Sequence, residues 1–167
     1  TKTKMEIVIA IDPQSGQKST SDEFAVTVLG YFPHDPHRYV LEQIAGRGSQ
    51  SDQARETINA WIRRSKSNHV RIVGVESLMT QVAVFQDITD WRAEKITIDG
   101  ILPTETRAIP VTAISPEGKD KVARLQNHES MIERGELHLY CDMKKLQEQL
   151  MFLGTGALDH DDRADSL

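Results

Sequence analysis

Glu6-Ile7-Val8-Ile9-Ala10-Ile11-Asp12-Pro13 is the stretch on which the reading of this chain turns. Glu6 to Ile11 (EIVIAI) is short, β-branched and almost wholly apolar, the pattern of a buried strand. Asp12-Pro13 ends it. The polar loop from Gln14 to Ser21 leads to a second apolar run, Phe24 to Phe32 (FAVTVLGYF). The turn Pro33-His34-Asp35-Pro36 leads to a third, Arg38 to Ala45 (RYVLEQIA). Short connections between successive strands imply antiparallel neighbours. A helix is expected next, from an N-cap at Ser51 to about Ser65, because Ala54, Ile58, Trp61 and Ile62 make one apolar stripe. Val70 to Val75 (VRIVGV) is a further strand, ending at Glu76. Strand, helix, strand is a crossover unit, which places this strand parallel to the first.

The rest of the chain reads as smaller pieces. Leu78 to about Trp91 is expected to be helical, with Met79, Val82, Ala83, Phe85 and Gln86 inward. Ala108 to Ile114 (AIPVTAI) is a short strand interrupted by Pro110. Lys119 to Arg134 is a helix stopped by Gly135. Glu136 to Tyr140 is a strand and Asp142 to Phe152 a helix, with Leu146 and Leu150 four apart. Gly154-Thr155-Gly156 breaks that helix, and His160 to Leu167 reads as the start of another. The expected fold class is α/β: one domain, residues 1–167, with a mixed central sheet flanked by helices.

Composition narrows the function classes. At 167 residues, 38% hydrophobic and 27% charged, the chain has the make-up of a globular domain. No apolar run approaches the ~20 residues that span a bilayer, so no membrane partner is expected. The lone cysteine, Cys141, cannot form an intrachain disulfide, which fits a reducing compartment. The net charge of -5 argues mildly against a nucleic-acid partner, which usually meets a basic surface. Bound divalent cations would offset that charge locally.

Three acidic positions stand out by placement. Asp12 follows the first strand, and Glu76 follows the strand expected beside it. Ligand sites of open α/β sheets lie at such carboxyl ends. The third position is His160-Asp161-Asp162-Arg163-Ala164-Asp165, where Asp161 or Asp162 shares a helix face with Asp165. Converging carboxylates repel one another and call for a cation. Hard oxygen donors suit Mg²⁺ or Mn²⁺. Two such ions can activate water and steady the leaving oxygen in phosphodiester cleavage.

The pieces IVIAIDP (Ile7 to Pro13), SDEFAVTVLG (Ser21 to Gly30), VGVES (Val73 to Ser77), GKDKVARL (Gly118 to Leu125) and HDDRADSL (His160 to Leu167) are spread over nearly the whole chain. In this order they resemble the nuclease domain of the large terminase subunit of tailed bacteriophages, within the ribonuclease H-like superfamily. That resemblance implies a metal-dependent endonuclease cutting double-stranded DNA when genome packaging starts and ends. It implies that Asp12, Glu76 and one or both of Asp161 and Asp162 hold two Mg²⁺ or Mn²⁺ ions, with Asp165 a further ligand or a support for one. It also implies phosphate contacts from Lys119, Lys121 and Arg124, which lie near one face of a helix start. The expected setting is the viral procapsid in the host cytoplasm, with a portal ring and a small terminase subunit as partners. The family's chain carries a packaging ATPase ahead of the nuclease. No G-x-x-x-x-G-K-[ST] loop occurs here, and the start without Met fits a C-terminal fragment of a longer chain.

Two alternatives share the same residues. One is another ribonuclease H-like nuclease, a junction resolvase or a hybrid-specific ribonuclease. The other is a non-catalytic DNA-binding or motor-docking module of the same fold. Among the remaining features, Arg63 and Arg64 are expected to serve the helix dipole, Trp61 and Trp91 the core, and His160 to flank a helix cap.

Overall fold

Ile7, Ile9 and Ile11 are buried to within 2% of their surface, while the alternate residues between them are only partly covered. This two-residue period sets β1, Glu6–Asp12, at the centre of one sheet. The computed structural model describes residues 4–13, 23–76, 82–93, 109–115, 128–140 and 143–151. Among them the other strands are β2 (Phe24–Tyr31), β3 (Arg38–Gly46), β4 (His69–Glu76), β5 (Val111–Ile114) and β6 (Leu137–Leu139). The sheet order is β5-β4-β1-β2-β3-β6. β2 runs antiparallel to both neighbours, and β1–β4, β4–β5 and β3–β6 are parallel pairs. The hairpin series and the parallel crossover read from the sequence are both present.

The connections follow from local chemistry. At the β2–β3 turn the Asp35 amide donates to the Phe32 carbonyl at 3.0 Å, and His34 has φ 70°. Pro33 before a positive-φ residue is the signature of a type II turn. Helix α1, Gln50–Ser65, carries the chain from β3 across the sheet to β4. Its N-cap is Ser49, two residues before the expected Ser51. Ser49 accepts from the Asp52 amide while the Asp52 carboxylate accepts from the Ser49 amide. Asp52 at the third helical position completes this reciprocal box, which Ser51 has no such partner to form, and a cap of this kind contributes about 1 kcal/mol.

Helices α1 and α2 (Val82–Arg92) pack together on the face that carries Ile7, Ile9, Ile11, Val73 and Val75. The inner stripe of α2 is Val84, Ile88 and Trp91, all nearly fully buried. Of the expected inward set, Phe85 is partly covered and packs against this core, Ala83 is partly covered, and Gln86 is exposed, which corrects that expectation. The stripe at i, i+4, i+7 is the true helical repeat, whereas the expected residues wrapped too far round the cylinder. Met79 and the side chain of Val82 lie outside the described residues. At the other end of α1, Arg63 and Arg64 both pair with Glu42 on β3, tying helix to sheet as well as sitting at the helix end.

The opposite face is covered from the C-terminal side. Residues 128–133 are helical and end in a Schellman arrangement. The Glu136 amide donates to Met131 O at 2.8 Å and the Gly135 amide to Ile132 O at 2.9 Å. Gly135 has φ 67°, which a side chain would resist, so it stops the helix as expected. Helix α3, Lys144–Met151, follows β6 and buries Leu146 completely. Its Leu150 and Met151 line a groove with Ile132, Leu137 and Leu139. On β4, Gly74 leaves the space that the Ile114 side chain of β5 occupies.

Candidate active site

The register of β1 against β4 pairs Ile9 with Val73, Ala10 with Gly74 and Ile11 with Val75. One step further along both strands stand Asp12 and Glu76, the final residues of β1 and β4. Paired residues of parallel neighbours point to the same side. Ile11 and Val75 enter the core beneath α1 and α2, so Asp12 and Glu76 emerge together on the opposite face. Both are partly buried. Glu76 has Ile114 of β5 as its other neighbour, and Asp12 has Ala25 of β2, which in turn faces Ala45 of β3. Small residues thus flank Asp12 where bulky ones would crowd it.

Behind this row lies a polar pair that sequence reasoning missed. Gln43 Nε2 donates to Thr27 Oγ1 at 3.0 Å, and Thr27 is fully buried. Thr27 is the partner of Ala10, so the pair sits on the carboxylate face, one alternation in from Asp12. No spacing in the sequence marks it. Helix α3 is on this face too: Lys145 Nζ lies 3.9 Å from Glu23 Oε1, just ahead of β2. The stretch with Asp161, Asp162 and Asp165 follows α3 in the chain.

The far end of the sheet has a different electrostatic character. There Tyr31 and Arg71 both donate to the Glu6 carboxylate, and these bonds hold its pKa below the usual value. The Tyr31 hydroxyl is pushed up by its bond to Glu6. Such groups are structural ties.

Asp12 and Glu76 fit one half of a divalent-cation site. Their strands are about 4.8 Å apart, and two oxygens on one hard cation lie about 3–4 Å from each other. Among the described residues no group of three or more His, Cys, Asp or Glu comes together to hold a metal. Asp161, Asp162 and Asp165, and with them Lys119, Lys121, Arg124 and His160, lie outside the described residues.

No protein-family model and no curated protein matches the chain. Solved structures do. The human cytomegalovirus terminase nuclease domain matches with a TM-score of 0.66 and 14% identity, over 98% of this chain and 81% of that one. The fold is that of a terminase nuclease domain. The large terminase of the thermophilic bacteriophage D6E, in complex with ADP, matches with a TM-score of 0.64 and 6% identity, over 99% of this chain and 38% of that one. The large terminase nuclease of the thermophilic phage G20c, with bound magnesium, matches at 0.57 and 15% identity, over 97% and 78%. At these identities the likeness is one of backbone. The terminase-nuclease fold agrees with the mixed, ribonuclease H-like sheet expected from the sequence, and its core, turns and caps here are built from this chain's own residues.

Proposed function

We propose that this chain is a divalent-metal-dependent endonuclease that cuts double-stranded viral DNA at the start and end of genome packaging. The observation that carries the proposal is the placement of Asp12 and Glu76, side by side on one face at the carboxyl ends of adjacent parallel strands. The shared fold with terminase nucleases supports it, as does the bound magnesium of the phage G20c domain.

In this reading Asp12 and Glu76 offer oxygens from rigid strand ends, so their positions are set before substrate arrives. Asp161 and Asp162 complete the ligand set, and Asp165 adds a ligand or supports one. Together they hold two Mg²⁺ or Mn²⁺ ions. Such ions, when bound, lower the pKa of a water molecule and offset charge on the scissile phosphate. Without a cation the neighbouring carboxylates repel each other, which keeps the site receptive. An ATPase domain of the same chain, a portal ring and a small terminase subunit supply motion and target choice at the procapsid in the host cytoplasm.

The test is cleavage of linear duplex, supercoiled plasmid, a four-way junction and an RNA–DNA hybrid, in Mg²⁺, Mn²⁺ and EDTA. Metal-dependent cutting of plain duplex supports the proposal. Preference for the junction or the hybrid would reassign the chain to a resolvase or a ribonuclease. Inertness toward all four, with the protein folded, would make it a docking or binding module.

DNA grip should be weak, since the chain is acidic overall. With Lys119, Lys121 and Arg124 as the leading phosphate contacts, two to four contacts give a log–log salt slope of roughly -2 to -4. Lys121→Ala is expected to weaken binding to unrelated duplexes equally and to flatten the slope by about one. A slope unchanged by the substitution would remove this segment from the DNA interface.

A further inference from the structure

The edge of the sheet where β3 meets β6 carries a cluster of rings. His37 Nδ1 and His138 Nε2 share a hydrogen bond of 2.8 Å, the donor set by the tautomers, although the two residues are 101 positions apart in sequence. The Tyr39 ring stacks on His138, with centroids 4.9 Å apart and planes 16° from parallel. Phe32 meets the other side of the cluster edge-on to Tyr39. Tyr39 and His138 are register partners across the parallel β3–β6 pair. The histidine pair itself is exposed to solvent.

We infer that His37 and His138 form a two-imidazole site for a borderline transition-metal cation, of the Ni²⁺ or Cu²⁺ type, separate from the carboxylates of the proposed nuclease centre. Metal–imidazole bonds of about 2.0–2.1 Å put two nitrogens about 2.9 Å apart at a right angle and about 3.4 Å apart at a tetrahedral one. The hydrogen bond of 2.8 Å already holds the two nitrogens close to the spacing that one ion would need, and imidazole donors suit Ni²⁺ and Cu²⁺. The ring centroids, 5.0 Å apart, also fall within the span of about 4.5–5.2 Å that the same bond lengths imply for two rings on one ion. Binding therefore requires the rings to turn and needs no movement of the strands. Water would fill the remaining positions at this open surface.

The surroundings fix the backbone that carries one of the two rings. Asp35 Oδ1 accepts from the His37 amide at 2.9 Å, which fixes the backbone that carries this ring. Glu136, just ahead of β6, is paired with Arg134 at 2.8 Å. The Arg38 guanidinium beside them donates to the Asp35 and His37 carbonyls and lies over the Tyr31 ring. A bound ion would cross-link β6, which pairs with β3 through only three residues, to the edge of the sheet. The site lies near the start of β3, while Asp12 and Glu76 lie at the other end of the sheet, roughly 20 Å away by strand spacing and rise.

The test uses metal-stripped protein titrated with Ni²⁺ and followed by calorimetry and thermal unfolding. Ni²⁺ is expected to raise the unfolding temperature and to shift or broaden the ring-proton NMR signals of His37 and His138. His37→Gln or His138→Gln should each weaken Ni²⁺ binding tenfold or more. His69→Gln, on β4 and away from the β3–β6 edge, should leave it unchanged. Mg²⁺, which prefers oxygen ligands, should perturb neither ring. Equal Ni²⁺ binding by wild type and the double His37→Gln/His138→Gln variant would overturn the inference, as would ring signals indifferent to Ni²⁺ in the wild type.

Discussion

Asp12→Ala is expected to reduce metal-supported plasmid cleavage by a thousandfold or more while leaving the fold intact. A lost metal ligand removes both water activation and charge stabilisation, and several kcal/mol of transition-state stabilisation corresponds to that order of rate. Stability should behave differently. In EDTA the variant should still unfold cooperatively, so that its loss of cleavage is read on folded protein. Adding Mn²⁺ should stabilise the wild type by mass action and the variant much less. Glu76→Ala should behave alike, and the double variant should be little worse than either, since groups that serve one centre are not additive. Wild-type cleavage by pure Asp12→Ala protein would refute the assignment.

Trp91→Ala is expected to cost about 3–5 kcal/mol, the range for deleting a fully buried aromatic side chain. Trp91 is entirely covered and belongs to the core shared by α1, α2 and the sheet. In a domain of this size each kcal/mol lowers the melting temperature by about 2–4 °C. The loss should thus be on the order of 6–20 °C, read by thermal or denaturant unfolding. Trp91→Phe, which leaves a smaller void, should fall well short of that. A loss below 1 kcal/mol for the alanine variant would mean that α2 is not docked on the sheet in solution.

Strand pairing was legible in the sequence because β1, β2 and β4 are short, β-branched apolar runs and Pro33 marks the turn between β2 and β3. The juxtaposition of Asp12 and Glu76 followed from that reading, since a crossover between them fixes direction and level. Helix ends and faces were less legible. Ser49 and Ser51 look alike until Asp52 is seen to close the reciprocal cap. Val84, Ile88 and Trp91 compete with Ala83 and Phe85 in a helix whose sequence is apolar on several sides. Contacts between distant segments left no local trace at all. Nothing near Gln43 announces Thr27, and nothing near His37 announces His138.

The spacing of partners along the chain also orders how the sheet assembles. The bond between Tyr31 and Glu6 closes 25 residues, that between Arg71 and Glu6 closes 65, and the contact of His37 with His138 closes 101. Each doubling of a loop adds about 0.6 kcal/mol of closure entropy, and β6 sets only three paired residues against the longest of these closures. β6 should therefore join last and detach first. Native-state hydrogen exchange would show this as early loss of protection at the Arg38 and Tyr140 amides, which bond to Glu136 O and Val40 O, ahead of the amides of β1. Both strands that end in Asp12 and Glu76 are complete by residue 76. A chain still emerging from the ribosome can accordingly pair the two strands that carry those carboxylates before β5 and β6 have been made.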